Sequence, residues 1–537
     1  MQLGSNAFDG CTGLKELVIE DSPDSLNIGY SNNYQGAFRD CPLDSIYLGR
    51  NYFDEYDGHK AAPFSGISTL KAVEFGPYVT EVRASAFDYC AALSSVRLNE
   101  GIVSIGEDAF WGCDSLVSIR LPQTVEHIGK NAFTQCASLA DINIPGRVAD
   151  IGQYAFYYCE SLPSVRIPAS VQSIGRRAFE GCAALKEMIV EDGTDSLRWE
   201  CDDQPALRGC PVEYVYLGRN LSTDNYYTPF SGLDSLKTLV VGRTVTAIRD
   251  NCFNSCGALA SATLPEGLKN IGIYAFSGCY ALSDAKLPAS LESIGQSAFY
   301  RCGLKSLVIP DMVASIGGSA FWGCDSLVSV SLETGITEIS DGLFSGCSSL
   351  RGIDIPENVA AVGNSAFSEC KSLTYVRFPD NLEGIGDYAF DGCDMLTGIR
   401  IPGSVKTLGH GAFEYCDRLA SIELEDGVEE LGYGAFQGCE SLAEIDLPNS
   451  IRSIGEEAFD DCSMLRTIHL GNNVASIGEQ AFGDCISLTR ITLPGSLTSI
   501  ERYAFEGCSL AEIYALGAVP PTIDAETFDA IHYINTR

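Results

Sequence analysis

Cysteine is the residue with the most reactive chemistry in this sequence, and it recurs at a fixed spacing. The 537-residue chain holds 22 cysteines, and 20 of them occupy the same position of a repeated sequence, from Cys11 to Cys508. A thiolate can bind a metal, and two thiols can form a disulfide. The regular cysteines could therefore form a disulfide framework, an array of metal sites, or a ladder of buried thiols that act as small apolar groups.

The exceptions to the cysteine pattern favour the buried thiols. Ile67, Leu233 and Ile531 stand where cysteine is missing, and an aliphatic residue suits a core position but not a ligand or a bridge. Stacked side chains run parallel, which suits disulfide geometry poorly. No C-x-x-C pair occurs, and the five histidines are scattered. We therefore expect free buried thiols with no metal and no cofactor, and a core position for Cys252. The state of Cys201, which lies in an insertion, is not predicted.

A repeat of about 23 residues sets the position of each cysteine. The phenylalanine of an "AF" pair marks it from Phe8 to Phe528, and Leu207 takes this position between Phe179 and Phe230. This count gives 23 units. Self-similarity at such a period predicts a solenoid rather than a set of separate globular domains.

The unit "SLRGIDIPENVAAVGNSAFSEC" shows what each part of the repeat does. Leu350, Ile353 and Ile355 follow the L-x-x-L-x-L strand pattern of a leucine-rich repeat, and alternation along a strand turns the two isoleucines inward. Gly363 is expected to let the chain turn, and the cysteine Cys370 returns to the core. One unit cannot bury this apolar edge alone, but stacked neighbours can.

The pattern "IP.SV.SIG..AF..C.SL..I.IP" resembles the BspA-like leucine-rich repeat family over essentially the whole chain. The fold expected is a curved solenoid with a parallel β-sheet on the concave face and short strands or turns on the convex face. The resemblance also implies a secreted or surface-displayed protein of an anaerobic bacterium or a parasitic protist. Several members are adhesins for host matrix proteins, and the family has no known catalytic constellation.

Composition narrows the possible functions further. The formal net charge is -36, with 71 acidic against 35 basic residues. Binding to nucleic acid needs a basic face, so we expect no nucleic-acid partner. No apolar run approaches the roughly 18 residues of a spanning helix, so we expect no membrane insertion. Motifs of hydrolases, metalloproteases, P-loop proteins and calcium loops are missing from the sequence, so we expect no enzyme activity.

The sequence predicts one continuous solenoid over residues 1–537, with irregular regions inside it. Two longer repeats carry insertions at about 19–66 and 190–232, and these resemble each other in "CPLDSIYLGRN" and "CPVEYVYLGRN" and in a shared "PFSG". Residues 518–537 form a degenerate final unit. The chain begins and ends partway through a unit, so we expect incompletely capped ends that promote self-association.

Two sets of outward side chains are candidate binding determinants. Aromatic residues of the insertions and strands could anchor a partner or stack on sugar rings: Tyr47, Trp199, Tyr214, Tyr216, Tyr226 and Tyr227. Arginines in rows on the concave face could bind carboxylate, sulfate or phosphate: Arg97, Arg120, Arg166, Arg377 and Arg400. The competing interpretations are that the aromatics pack the longer loops, and that the charges alternate along a solvated sheet.

Together these features predict a non-enzymatic binding protein at the cell surface or secreted. Its partner would be a host matrix protein or another cell, engaged by the concave face and the inserted loops. A surface glycan-binding protein is the first alternative. An intracellular scaffold for protein interactions is the second, since free thiols suit a reducing interior. No export signal stands in this sequence, so a cytoplasmic location stays open.

Overall fold

A computed structural model describes residues 2–4, 7–8, 10–28, 37–38, 40–53, 62–222, 228–333 and 335–528. These residues form a parallel-strand β-solenoid of about 21 turns, with repeats of about 23 residues and no helix in the described part. Inter-residue contacts divide the chain into two compact units, which are Met1–Gly267 (unit 1) and Leu268–Arg537 (unit 2). In the described residues, no helix is long and apolar enough to cross a membrane.

Most turns carry a major strand of three to seven residues, which follows the cysteine position, and a minor strand of two or three residues. The major strands of unit 1 are Glu16–Ile19, Ser45–Arg50, Ala72–Tyr78, Ser95–Arg97, Ser118–Arg120, Asp141–Asn143, Ser164–Ile167, Glu187–Val190, Tyr214–Leu217, Thr238–Val241 and Ser261–Thr263. Its minor strands are Gln2–Leu3, Leu26–Ile28, Tyr52–Phe53, Glu81–Val82, Ser104–Ile105, His127–Ile128, Asp150–Ile151, Ser173–Ile174, Leu197–Trp199, Leu221–Ser222 and Ala247–Ile248.

Unit 2 repeats this arrangement. Its major strands are Ser306–Ile309, Ser329–Leu332, Gly352–Asp354, Tyr375–Arg377, Gly398–Ile401, Ser421–Leu424, Glu444–Asp446, Thr467–His469, Arg490–Leu493 and Glu512–Ala515. Its minor strands are Asn270–Ile271, Ser293–Ile294, Ser315–Ile316, Glu338–Ile339, Ala361–Val362, Gly384–Ile385, Glu430–Leu431, Ser453–Ile454, Ser476–Ile477, Ser499–Ile500 and Thr522–Ile523. The sequence count of 23 is higher than the number of turns because the Phe276 unit forms no major strand and the Phe528 unit runs beyond the described residues.

The unit around Ile353 confirms how the repeat is used. Leu350, Ile353 and Ile355 are buried, and Asp354 between the two isoleucines is exposed. The expectation for Gly363 was wrong in its cause. Its φ lies outside the left-handed region, but a Cβ there would stand 2.7 Å from a backbone nitrogen of the preceding turn. The glycine is needed because two turns approach closely, not because the chain must bend.

Stacked phenylalanine rings form the centre of the solenoid. In unit 2 the ring centroids of consecutive units lie 5.1–5.6 Å apart. Backbone hydrogen bonds also join these turns. The Phe367 N–H, for example, donates to the Ala389 carbonyl at 2.8 Å. Each ring is therefore held by hydrogen bonds as well as by burial of its apolar surface.

The cysteines are free thiols, as the sequence predicts. None of the 22 forms a disulfide, and every one except Cys11 is buried. Most of their thiols also form a hydrogen bond to a backbone carbonyl, which the sequence argument missed. The Cys370 Sγ, for example, donates to the Phe344 carbonyl of the preceding turn at 3.3 Å. Burial raises the pKa of Cys370 to about 12. Cys201 is buried as well, and burial raises its pKa to about 12.

Candidate functional site

The outward row of the major strands in unit 1 becomes apolar over three successive strands. In register, Arg166 is followed by Ile189, Tyr216, Val240 and Thr263 on successive strands. Three neighbouring outward positions are therefore apolar or aromatic, whereas the strands from Ala72–Tyr78 to Ser164–Ile167 carry charged or polar residues there. An outward side chain contributes nothing to the stacked core, so stacking does not require this row.

Tyr214 enlarges the apolar row. It lies two residues before Tyr216 on the same strand, so both side chains project from the same face. Ile189, Tyr214, Tyr216 and Val240 are each partly exposed, and we name these four residues the Tyr216 patch. Partly exposed aromatic and aliphatic side chains in contact are the kind of surface on which binding anchors are found.

A hydrogen bond fixes the direction of the Tyr216 side chain. Its hydroxyl donates to Asp192 Oδ1 at 2.8 Å, and Asp192 is exposed. Burial and this hydrogen bond raise the pKa of Tyr216. At the edge of the patch, Arg166 Nη1 lies 3.0 Å from Glu191 Oε1. The ring is thus held in place beside carboxylates, which reduces the entropy that binding would cost.

Two open clefts flank the Tyr216 ring. One has a volume of about 520 Å³ and is lined by Arg166, Ile189, Glu191, Asp192, Tyr214 and Tyr216. The other has a volume of about 660 Å³, and its lining includes Tyr216, Val240, Gly242, Arg243, Pro265 and Glu266. Both are open depressions on a strand face, so they suit contact with the surface of a macromolecule.

Arg219 joins the loop after the strand Tyr214–Leu217 to the loop after the strand Ser164–Ile167. It is 1% exposed, and its Nη1 and Nη2 donate to the carbonyls of Ala169 and Pro168, each at 2.9 Å. Burial lowers the pKa of Arg219. The sequence reasoning missed this residue. Its signal was the arginine of the repeated "YLGRN", which stands two residues beyond the end of the strand Tyr214–Leu217.

Trp199 was wrongly predicted as an exposed binding residue. It is 1% exposed, and its ring centroid lies 6.3 Å from that of Phe179 and 5.7 Å from that of Phe230. These two phenylalanines flank the unit in which Leu207 replaces the usual ring. The indole therefore fills the volume that leucine leaves in the phenylalanine ladder.

The other predicted aromatics have different outcomes. Tyr47 is partly exposed, and its hydroxyl donates to Asp21 Oδ1 at 2.9 Å, as the Tyr216 hydroxyl does to Asp192. Tyr226 and Tyr227 lie outside the described residues. The structure thus brings Tyr214 and Tyr216 together on one strand and places Tyr47 on a distant strand of the same unit.

The five arginines divide into paired and unpaired residues. Arg166 pairs with Glu191, Arg377 Nε lies 3.7 Å from Asp354 Oδ1, and Arg400 Nη1 lies 3.0 Å from Asp380 Oδ1. Arg400 also pairs with Glu425. For Arg377 and Arg400 this favours the interpretation of alternating charges on a solvated sheet.

Arg97 and Arg120 differ from the other three arginines. They are exposed on neighbouring major strands, and neither forms an ion pair with a described residue. These two guanidinium groups therefore stay available to an external anion. Over the same described ranges, no group of three or more His, Cys, Asp or Glu residues could hold a metal ion.

Comparison with known proteins agrees with the architecture. The family model for the BspA type leucine rich repeat region matches residues 1–96, 80–201, 203–328, 292–420 and 406–535. A leucine-rich repeat protein from Bacteroides ovatus ATCC 8483 is 30% identical, with 67% of this chain and 82% of that chain covered and a TM-score of 0.50. No match was found among curated proteins.

Other solved structures are more distant. A leucine rich cell surface protein from Faecalibacterium prausnitzii A2-165 is 22% identical, with 79% of this chain and 83% of that chain covered and a TM-score of 0.27. The pneumococcal vaccine antigen PcpA is 18% identical, with 70% and 91% covered and a TM-score of 0.40. Because the family model matches nearly all of the sequence, this chain belongs to the BspA-type leucine-rich repeat proteins.

Proposed function

We propose that this chain is a non-enzymatic adhesion protein whose Tyr216 patch binds a protein of the host extracellular matrix or of another cell. The observation that carries the proposal is the apolar row of Ile189, Tyr216 and Val240 on a face that stacking does not require. Tyrosine anchors combine a large contact area with few rotatable bonds, so they bind at low entropic cost. Leucine-rich repeat proteins are generally non-catalytic scaffolds and typically bind proteins.

Charge indicates what kind of protein would bind. The chain has a net charge of -36, and Glu191, Asp192 and Glu266 line the clefts beside Tyr216. A partner that presents basic segments would be attracted over a distance and would lose affinity as salt is added. Arg243 also lines one cleft, which favours a partner with both basic and acidic groups.

A surface or secreted location accompanies this function. Members of the BspA-type family are often surface proteins, which supports the proposal for this chain. The buried thiols suit such a location as well. Burial raises the pKa of Cys136 to about 12, so its reactive thiolate form is scarce at neutral pH whatever the compartment.

A binding panel tests the proposal. The purified chain is passed over immobilised fibronectin, fibrinogen, laminin and type I collagen, and over a glycan array, at low and physiological salt. We expect saturable binding to a matrix protein that weakens at the higher salt. The double variant Tyr214→Ala/Tyr216→Ala should bind at least 30-fold more weakly, as expected for a pair of aromatic anchors.

Two matched variants locate the surface. Tyr280→Ala removes a tyrosine that is 64% exposed in unit 2, and it should bind as the wild type does. Arg97→Glu/Arg120→Glu places charge reversals elsewhere on the strand face of unit 1. Full binding by the Tyr214/Tyr216 double variant would refute the proposed site. Loss of binding only on arginine reversal would move the site to Arg97 and Arg120. Hits on the glycan array alone would replace adhesion to protein by glycan binding.

A further inference from the structure

The surroundings of Tyr216 occur twice in unit 1. Tyr47 donates to Asp21 Oδ1 at 2.9 Å, and Tyr216 donates to Asp192 Oδ1 at 2.8 Å. In both cases the tyrosine is the central outward residue of a major strand, and the aspartate follows the end of the preceding major strand. Both aspartates are exposed and both tyrosines are partly exposed.

A glycine in the following strand, or directly after it, makes room for each hydrogen bond. A Cβ at Gly76 would stand 2.4 Å from Asp21 Oδ1 and 2.7 Å from the Tyr47 hydroxyl oxygen. At Gly242 the corresponding distances, to Asp192 Oδ1 and the Tyr216 hydroxyl oxygen, are 2.4 and 2.9 Å. Any other residue at these two positions would displace the tyrosine or the aspartate. Both copies therefore depend on the same small residue.

The contacts behind the tyrosines are duplicated as well. Asn51 Nδ2 donates to Thr80 Oγ1 at 2.9 Å, and Asn220 Nδ2 donates to Thr246 Oγ1 at the same distance. In each pair the threonine N–H donates back to the asparagine Oδ1 at 3.0 Å. The two regions therefore share a supporting structure that holds the strand end next to the tyrosine.

The neighbours of each ring define what the two places have in common. Val18 lies in register beside Tyr47, and Ile189 lies in register beside Tyr216. Each site thus combines a β-branched side chain, a partly exposed tyrosine ring and an exposed carboxylate that accepts a hydrogen bond from the tyrosine hydroxyl. A lysine or arginine side chain can lie across such a ring while its charge meets the carboxylate.

We propose that unit 1 carries two equivalent binding sites, at Tyr47 and at Tyr216, which together hold one partner protein that repeats a basic segment. This inference rests on the proposed function and adds the Tyr47 site and a valency of two. The two tyrosines are separated by seven steps between major strands, or about 34 Å at a strand spacing of about 4.8 Å. An extended or multi-domain matrix protein can span that distance.

The sites differ on one side, and the difference can be measured. The strand after Tyr47 presents Glu74 in register, whereas the strand after Tyr216 presents Val240. Binding at Tyr47 should therefore depend more on salt than binding at Tyr216. Two weak sites on one rigid scaffold give a combined affinity well above that of either one, because the second contact forms within the complex.

Surface plasmon resonance tests the valency. The chain is immobilised at low density, and fibronectin, fibrinogen, laminin and type I collagen are each injected over wild type, Tyr47→Ala, Tyr216→Ala, the double variant and Tyr280→Ala. We expect each single variant to lose on the order of 100-fold in affinity, the double variant to lose all measurable binding, and Tyr280→Ala to lose none. Raising the salt should weaken the Tyr216→Ala variant more than the Tyr47→Ala variant.

The outcomes separate the two proposals. Loss of affinity on Tyr216→Ala with none on Tyr47→Ala would refute the twin sites and leave the proposed function standing. Binding of a matrix protein that neither tyrosine affects would overturn both sites. If the wild type bound none of the four proteins, adhesion to the matrix would be refuted, and the twin sites for a matrix protein with it. Thermal unfolding of every variant at the wild-type temperature shows that lost binding is not lost folding.

Discussion

Replacing Trp199 by alanine should destabilise unit 1 by about 3–5 kcal/mol. The indole is 1% exposed and touches Phe179 and Phe230, so the substitution removes a large buried ring and leaves a cavity in the phenylalanine ladder. A binding residue at the surface would behave differently, because its loss costs affinity and less than about 0.5 kcal/mol of stability. The variant therefore separates a core role from the sugar-stacking role that the sequence suggested.

A second substitution tests why the indole is there. If Trp199 fills the volume left by Leu207, then Leu207→Phe in the wild type should overpack the core and cost about 1–3 kcal/mol. In the Trp199→Ala background the same phenylalanine enters a cavity and should restore stability. The double variant should therefore be more stable than Trp199→Ala alone, with a coupling energy of about 1–3 kcal/mol between the two positions.

Native-state hydrogen exchange is the suitable assay, because long repeat arrays do not unfold in a single two-state step. The amides of the neighbouring minor strands Ser173–Ile174 and Leu221–Ser222 report the local opening free energy. Tyr280→Ala is the control for a lost aromatic ring, since that side chain is 64% exposed. A loss of less than 1 kcal/mol in Trp199→Ala, or strictly additive effects in the double variant, would refute the account of the ladder.

Three further predictions follow from the packing of the turns. Gly129→Ala would place a Cβ 2.6 Å from a backbone carbon of the preceding turn and should cost about 1–3 kcal/mol or more of local stability, measured by native-state hydrogen exchange. Gly146→Ala meets no atom within 4 Å and should cost less than about 0.5 kcal/mol. Equal losses would contradict the close-approach argument. Burial raises the pKa of Asp88 from 3.8 to about 6, so the contribution of its neutral carboxyl to stability is present below pH 4 and is lost as the pH rises through 6. Asp88→Asn should therefore stabilise unit 1 by about 1–3 kcal/mol at pH 8 but by little at pH 4. The same gain at both pH values would contradict this. Burial raises the pKa of Cys136 to about 12. Iodoacetamide at pH 8, followed by mass spectrometry, should therefore label the partly exposed Cys11 in the native chain and Cys136 only in urea. Rapid labelling of Cys136 in the native chain would show that the ladder opens.

The sequence predicts the fold well because the same pattern of buried positions recurs in nearly every repeat. Ile353 and Cys370 point inward in the structure as alternation and periodicity require, and the missing cysteine at Ile67 correctly identifies a core position rather than a ligand. The reason for glycine at Gly363 could not be read in this way. It depends on the distance between two backbones in different turns, which only the stacked structure defines.

The candidate site could be predicted only in part. Alternation along the strand correctly turns Tyr214 and Tyr216 outward, but composition alone suggested that Trp199 would be exposed too. The sequence did contain a warning, since Leu207 leaves the ladder short of one ring and a tryptophan stands eight residues earlier. The ion pair between Arg166 and Glu191 was missed because the glutamate follows the next strand, and its side chain reaches back across the turn.

The two tyrosine sites show that a repeat protein can carry a binding function at positions that do not take part in the stacking of its turns. A residue in the core ladder must suit the turn before and the turn after it, so it changes little along the chain. Tyr47 and Tyr216 are free of that constraint because they project outward, yet the same aspartate, glycine and asparagine–threonine contacts surround both. Stacking alone requires none of these contacts on the outer face, since other turns of unit 1 stack without them. Their recurrence together favours a binding requirement that acts on the whole group, and the paired tyrosine variants measure that requirement directly.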